Sequence, residues 1–171
     1  MLFVLALPLA FVACTKTVDT KGFEKTIEER VKGLGLAPES VSCPSGVEAK
    51  TGAKFTCKVM IDKTAYDLEV TITAVKDKDV SMDTAWAKGR AVVRKKIVDT
   101  LPAELGKQLQ TTVGIDCGKD ALVFLTNNEL TCALSAGSQT SKLTLSFDES
   151  YNMTNWKLDP PLQPTAEPPA N

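Results

Sequence analysis

The sequence predicts an α+β protein of two tandem repeats, each one helix packed on a three- or four-stranded antiparallel meander sheet with one hairpin disulfide. Three observations predict it. Apolar residues, cysteines and tryptophans recur at a shift of about 74 residues, and self-similarity at a fixed period is the mark of repeat architectures. Each unit opens at helical period and continues at period two. Each unit also holds two cysteines.

The repeat runs as follows. Phe23, Ile27 and Val31 correspond to Ile97, Leu101 and Leu105. Val41 and Cys43 correspond to Ile115 and Cys117, and after one inserted residue Cys57 and Val59 fall on Cys132 and Leu134. Leu68, Val70 and Ile72 fall on Leu143, Leu145 and Phe147, and a later contraction brings Trp86 onto Trp156.

In the first unit Phe23, Ile27, Val31 and Leu34 lie on one stripe, so Gly22 to Leu34 is expected to be an amphipathic helix. Asp19 or Thr20 can cap it, and Gly33 and Gly35 stop it. In the second unit the helical stretch is expected to start sooner, near Thr84. Pro102 there either kinks it or opens a new helix capped by Thr100.

Alternation then takes over. Phe55, Cys57, Val59 and Ile61 share one face, as do Tyr66, Leu68, Val70 and Ile72, so both segments read as half-buried strands. Val80 and Met82 lead a further strand to Trp86 after a turn at Lys76 to Asp79. The second unit offers Leu130 to Leu134, Leu143 to Phe147, and Tyr151 to Met153. A helix on one face of such a meander buries the apolar sides of both.

Leu2 to Ala13 is an unbroken apolar run ending at Cys14. It is shorter than the about 20 residues a spanning helix needs, and it has the length of a signal-peptide core. Phe11-Val12-Ala13-Cys14 resembles the lipobox of bacterial lipoproteins, with phenylalanine where leucine is usual and no basic residue ahead of the run. The resemblance implies cleavage before Cys14 and acylation of its thiol, palmitate being one of the chains. The membrane is then a partner through that anchor. Thr15 next to it favours the outer membrane in a Gram-negative host and otherwise the outer face of the cell membrane.

Five cysteines are an odd set for an exported chain. With Cys14 lipidated, Cys43, Cys57, Cys117 and Cys132 remain, an even set suited to an oxidising compartment. Four cysteines allow three connectivities, and repetition favours pairing within each unit. The divisions expected are residues 1–13 signal peptide, 14–20 tether, 21–86 first repeat, 87–158 second repeat and 159–171 a disordered tail. That tail carries five of the nine prolines.

Val41-Ser42-Cys43-Pro44, followed by Gly52 to Cys57 and the strand Leu68 to Thr73, resembles a family known as domain of unknown function 4333. The second copy keeps Ile115, Cys117 and Cys132 but has Gly118 where the pattern has proline, so it is divergent. The resemblance implies an exported, envelope-located protein and brings no catalytic residues.

Composition narrows function further. Twenty basic against 21 acidic residues argue against nucleic acid as a partner. No histidine is present, which removes the commonest general base and metal ligand. The cysteines are too widely spaced for a C-x-x-C redox site or paired zinc knuckles. Asp116 and Asp120 flank Cys117 without a partner base and read as turn residues. Neither an enzymatic activity, a metal nor a cofactor is expected. Arg90, Arg94, Lys95 and Lys96 form a basic cluster read mainly as a solvated helix face, with anionic lipid or envelope polymer as the alternative contact. Trp86 and Trp156 are read mainly as packing residues. The function expected is a non-catalytic binding or interaction lipoprotein at the cell envelope, an envelope protein being one candidate partner. A structural or stress-related lipoprotein is the alternative, and an enzyme comes third.

Overall fold

The computed structural model describes residues 16–76 and 79–162. Cys14, the apolar run before it, Asp77, Lys78 and the Pro-rich end beyond Leu162 lie outside the described residues.

The first helix, α1 (Thr20–Gly33), forms where the stripe predicts it and buries Phe23, Ile27 and Val31. Asp19 is its cap: its carboxylate accepts the Gly22 amide at 3.3 Å. Gly35, at φ +85°, reverses the chain, and the Gly35 and Leu36 amides donate to the Lys32 and Val31 carbonyls. This is a Schellman closure, with Leu36 and Val31 sharing one apolar cluster beneath it.

Four strands follow, β1 (Pro38–Ser42), β2 (Lys54–Ile61), β3 (Thr64–Lys76) and β4 (Asp79–Trp86), hydrogen-bonded in chain order as an antiparallel meander. Register places Cys57 opposite Leu68 and Val59 opposite Tyr66, so the alternation in sequence becomes one apolar face. Cys57, Val59, Val70 and Ile72 on that face are fully buried.

After β4 come β5 (Ala91–Val93), α2 (Arg94–Leu109), β6 (Val113–Asp116), β7 (Leu122–Phe124), β8 (Glu129–Ala136), β9 (Gln139–Phe147) and β10 (Met153–Asp159). The second sheet has the order β6-β8-β9-β10, and α2 supplies Leu101 and Leu105 to its core. Both halves are therefore a helix followed by a four-stranded antiparallel sheet, within an α+β fold.

Several expectations need correction. Residues 84 to 93 are not helical: Thr84 to Trp86 end β4, Gly89 turns the chain at φ +92°, and Ala91–Val93 is a strand. The missed breaker was Gly89, and β-branched Val92 and Val93 favour extended backbone. Helix α2 runs without interruption through Pro102, and Thr100 does not cap a new helix; its hydroxyl donates back to the Lys96 carbonyl at 2.6 Å. The last strand starts at Met153, since Tyr151 sits in a turn at φ +64°.

Register also separates the two tryptophans: Trp86 faces Leu68, whereas Leu158, not Trp156, faces Leu143, and Trp156 faces Leu145. The β3–β4 and β9–β10 turns absorb different lengths of chain, which sequence alignment alone distributes wrongly.

The segments assigned to tether and tail are partly built in. Thr17 bridges Glu48, the Val18 amide donates to Val47 and Ala49 donates to Lys16. Val18 is buried. At the other end the Ser141 hydroxyl donates to the Pro160 carbonyl at 2.6 Å, and Leu162 packs on the second core.

The halves are joined by a feature that the sequence pattern did not reveal. Strands β5 and β7 pair as a two-stranded ribbon, Val92 opposite Val123. One face of it, Ala91, Val93, Leu122 and Phe124, packs into the first core; the other, Val92 and Val123 with the following Leu125, packs into the second. A strand's two-residue period lets one ribbon serve two cores. The Leu122 amide also donates to the Tyr66 hydroxyl at 3.4 Å. In the first half the matching pair, Thr17 and Glu48, is polar and exposed.

Candidate functional site

Where the two halves meet, α1, the end of β4, the ribbon and α2 leave a cleft of about 470 Å³. Leu34, the C-cap of α1, forms one lip. Trp86, Val92 and Val93 come from the β4–β5 passage, and Ile97 and Leu101 from the inner stripe of α2. Phe147, Tyr151 and Met153 close it from the second sheet and its last turn. A second hollow of about 350 Å³, running along Ile27, Val31 and Leu68, shares Leu34, Trp86 and Tyr151 with the first.

Exposure singles this place out. Among the described residues the large hydrophobics left open to solvent are Leu34 at 43%, Tyr151 at 47% and Met153 at 39%. All three line the cleft. Scattered exposed apolar residues are ordinary, and it is the convergence of all three on one concavity that makes this the candidate site. A larger hollow of about 660 Å³ beside Cys117 and Cys132 is wide open and edged by Thr131, Thr140 and Lys142, with no exposed large apolar side chain.

Tyr151 is held in place by the turn that carries it. The Asp148 carboxylate accepts the Ser150 and Asn152 amides at 2.9 Å each and the Asn152 side-chain amide at 3.0 Å. These bonds, the Asn152 side chain foremost, hold its pKa below the usual carboxylate value. Arg90 stacks over the Tyr151 ring at 4.3 Å while its guanidinium donates to the Asp148 carbonyl and to Asn128.

That contact disperses the basic cluster. Arg90 is committed to the turn, Arg94 donates to the Asp120 carbonyl, and Lys95 pairs with Asp99 one helical turn on. Of the four, Lys96 lines the main cleft, facing Thr100 and Glu104 along α2; Arg90 borders the adjoining hollow, as does Arg30 from α1. Trp86 lies in the cleft and meets Tyr66 edge-on at 6.1 Å between ring centroids. Trp156 packs on the second core away from it. Sequence reading treated the two tryptophans alike; only the difference in register separates them.

The cysteines are paired within each half, Cys43 with Cys57 and Cys117 with Cys132, at Cα separations of 4.3 and 4.4 Å. Each bond ties the end of the first strand to the second. Asp116, expected in a turn, is instead the last residue of β6, paired with Ala133, and its carboxylate accepts the Gly118 amide at 2.8 Å as the chain leaves the strand. Among the described residues no three metal-ligating side chains gather in one place, and no helix is long and apolar enough to cross a membrane.

A family model, the domain of unknown function DUF4333, matches residues 2–77. The match takes in the apolar run at residues 2–13, α1 and the first three strands, most of the first half of the chain. No curated protein and no solved structure matches the chain.

Proposed function

We propose that the protein is an exported lipoprotein, anchored by acylated Cys14, whose two modules arose by duplication and form a non-catalytic binding site at their junction. The observation that carries the binding role is the convergence of Leu34, Tyr151 and Met153 on one cleft between the halves. Among the described residues, a fold that buries Val59, Val70, Leu143 and Leu145 completely leaves large hydrophobic side chains exposed at Leu34, Tyr151 and Met153, all on this cleft. Such a patch is covered in use.

Duplication is supported by more than the cysteines. Both halves have the same strand order, and in both the residues just ahead of the helix pair with the loop between the first two strands. Change of the ribbon's outer face from Thr17 and Glu48 to Ala91, Val93, Leu122 and Phe124 supplies the surface that joins the copies. Export is supported by two disulfides and by the apolar run before Cys14.

Two comparisons test this reading. Cys14→Ser is expected to move the protein from the membrane to the soluble fraction, and unchanged membrane association refutes the anchor. Envelope extract is then passed over the wild-type chain and over Leu34→Asp/Met153→Asp. A component retained by the first and released by the second supports the cleft, whereas equal retention places binding elsewhere.

A further inference from the structure

We infer that the occupant of the junction cleft is the acyl chain of a single-chain anionic amphiphile, a long-chain fatty acid, with its head at Lys96. This rests on the cleft being the binding face. Three features of the site select that chemistry.

The first is the lining. Leu34, Val92, Ile97, Leu101, Phe147 and Met153 offer hydrocarbon and thioether surface and no hydrogen bond. Thr100, the hydroxyl on the α2 wall, already donates to the Lys96 carbonyl. An extended peptide laid here would find side-chain partners at Trp86, Tyr151, Lys96 and Glu104 for a few of its amides and carbonyls, and burying the others unpaired is costly. A methylene chain makes no such demand and gains with each carbon buried.

Shape is the second. The main cleft lies within the about 300–1,000 Å³ usual for small-molecule sites. It adjoins the second hollow at Leu34, Trp86 and Tyr151, so a ligand long enough to pass those side chains reaches both. A long, thin ligand can occupy both hollows, which a compact one cannot.

The third is charge. Lys96 on α2 and Arg30 on α1 are exposed and border the two hollows from opposite helices. Neither belongs to an ion pair among the described residues. Glu104, the single carboxylate on the wall of the main cleft, lies two turns further along α2, so the basic end is the Lys96 end. Helix α2 starts there from Val93 with no side-chain cap, which leaves the positive end of its dipole on the same side.

The test uses the full chain carrying Cys14→Ser, so that it bears no acyl group of its own, titrated with the fluorescent C18 acid cis-parinarate below its micellar concentration. Energy transfer from tryptophan reports binding, with Trp86 lining the site. The expected result is saturation at one probe per chain and at least ten-fold weaker binding of parinarate methyl ester. Lys96→Glu combined with Arg30→Glu should weaken the acid at least ten-fold and leave the ester unchanged, while Lys95→Glu, on the paired outer face, should leave both unchanged. Leu34→Asp/Met153→Asp should abolish binding with an unaltered circular-dichroism spectrum, both positions being exposed already. Absence of saturable binding, or binding indifferent to the Leu34 and Met153 changes, overturns the inference; equal binding of acid and ester overturns the anionic head. If parinarate fails while an envelope component is still captured through Leu34 and Met153, the ligand class falls and the cleft stands. If both fail, so does the cleft.

Discussion

Asp148 shows how one half-buried residue shapes a site that it does not line. Its carboxylate gathers three donors from the turn that presents Tyr151, and its backbone carbonyl accepts from Arg90, which stacks on the same ring. Those donors favour the charged form, so the folded pKa lies below the unfolded one. The stabilisation is therefore complete above about pH 3.9, the ordinary Asp value, and is lost as pH falls through the lower folded value. Asp148→Ala is expected to broaden the Tyr151 ring resonances at neutral pH, and wild type should show the same broadening only on acidification below pH about 3.9. Sharp Tyr151 signals in the variant would contradict the turn's role. None of this was legible in the sequence, where Asp148 is one of 21 acidic residues and Tyr151 reads as the start of a strand.

At the scale of elements, pattern and structure agree where one element meets one core. Helix α1 and strands β2, β3, β8 and β9 follow their periodicities closely, because each has one apolar face and one wet face. Agreement fails at the β5–β7 ribbon, where both faces are buried and Ala91-Val92-Val93 shows no alternation to read. A short apolar run without a period does not distinguish helix from strand. The ribbon makes a firm prediction. Leu122, 2% exposed, packs into the first core from a strand of the second half, and Leu122→Ala should cost about 2–5 kcal/mol in denaturant unfolding. A loss of only a few tenths would mean that the ribbon does not hold the halves together. The disulfides act at this scale too. Each closes a short loop, with sequence separations of 14 and 15, and replacing Cys117 and Cys132 by alanine should lower stability by about 3 kcal/mol. Near-equal stability of the alanine variant and the oxidised wild type would count against that.

For the whole molecule, one ribbon shared between two cores predicts that the halves unfold together. Calorimetry should give a single transition whose van't Hoff and calorimetric enthalpies agree, whereas two resolved transitions would mean independent domains. Two like halves, each a helix with antiparallel strands and one cysteine pair, were legible from spacing, because cysteines and apolar stripes mark the elements. The cleft was not. It is made by Leu34 after a helix end, Trp86 at a strand end and Tyr151 in a turn, positions that periodicity leaves unassigned. Its apolar character arises from how the two halves meet.

The claim that this junction is the working face is tested most directly by photocrosslinking in living cells, with a benzophenone amino acid placed at Met153 or, on the exposed outer face of β2, at Lys58. The account predicts an adduct from position 153 of the membrane-anchored protein and none from position 58. No adduct at position 153, or the same adduct from both, would contradict it.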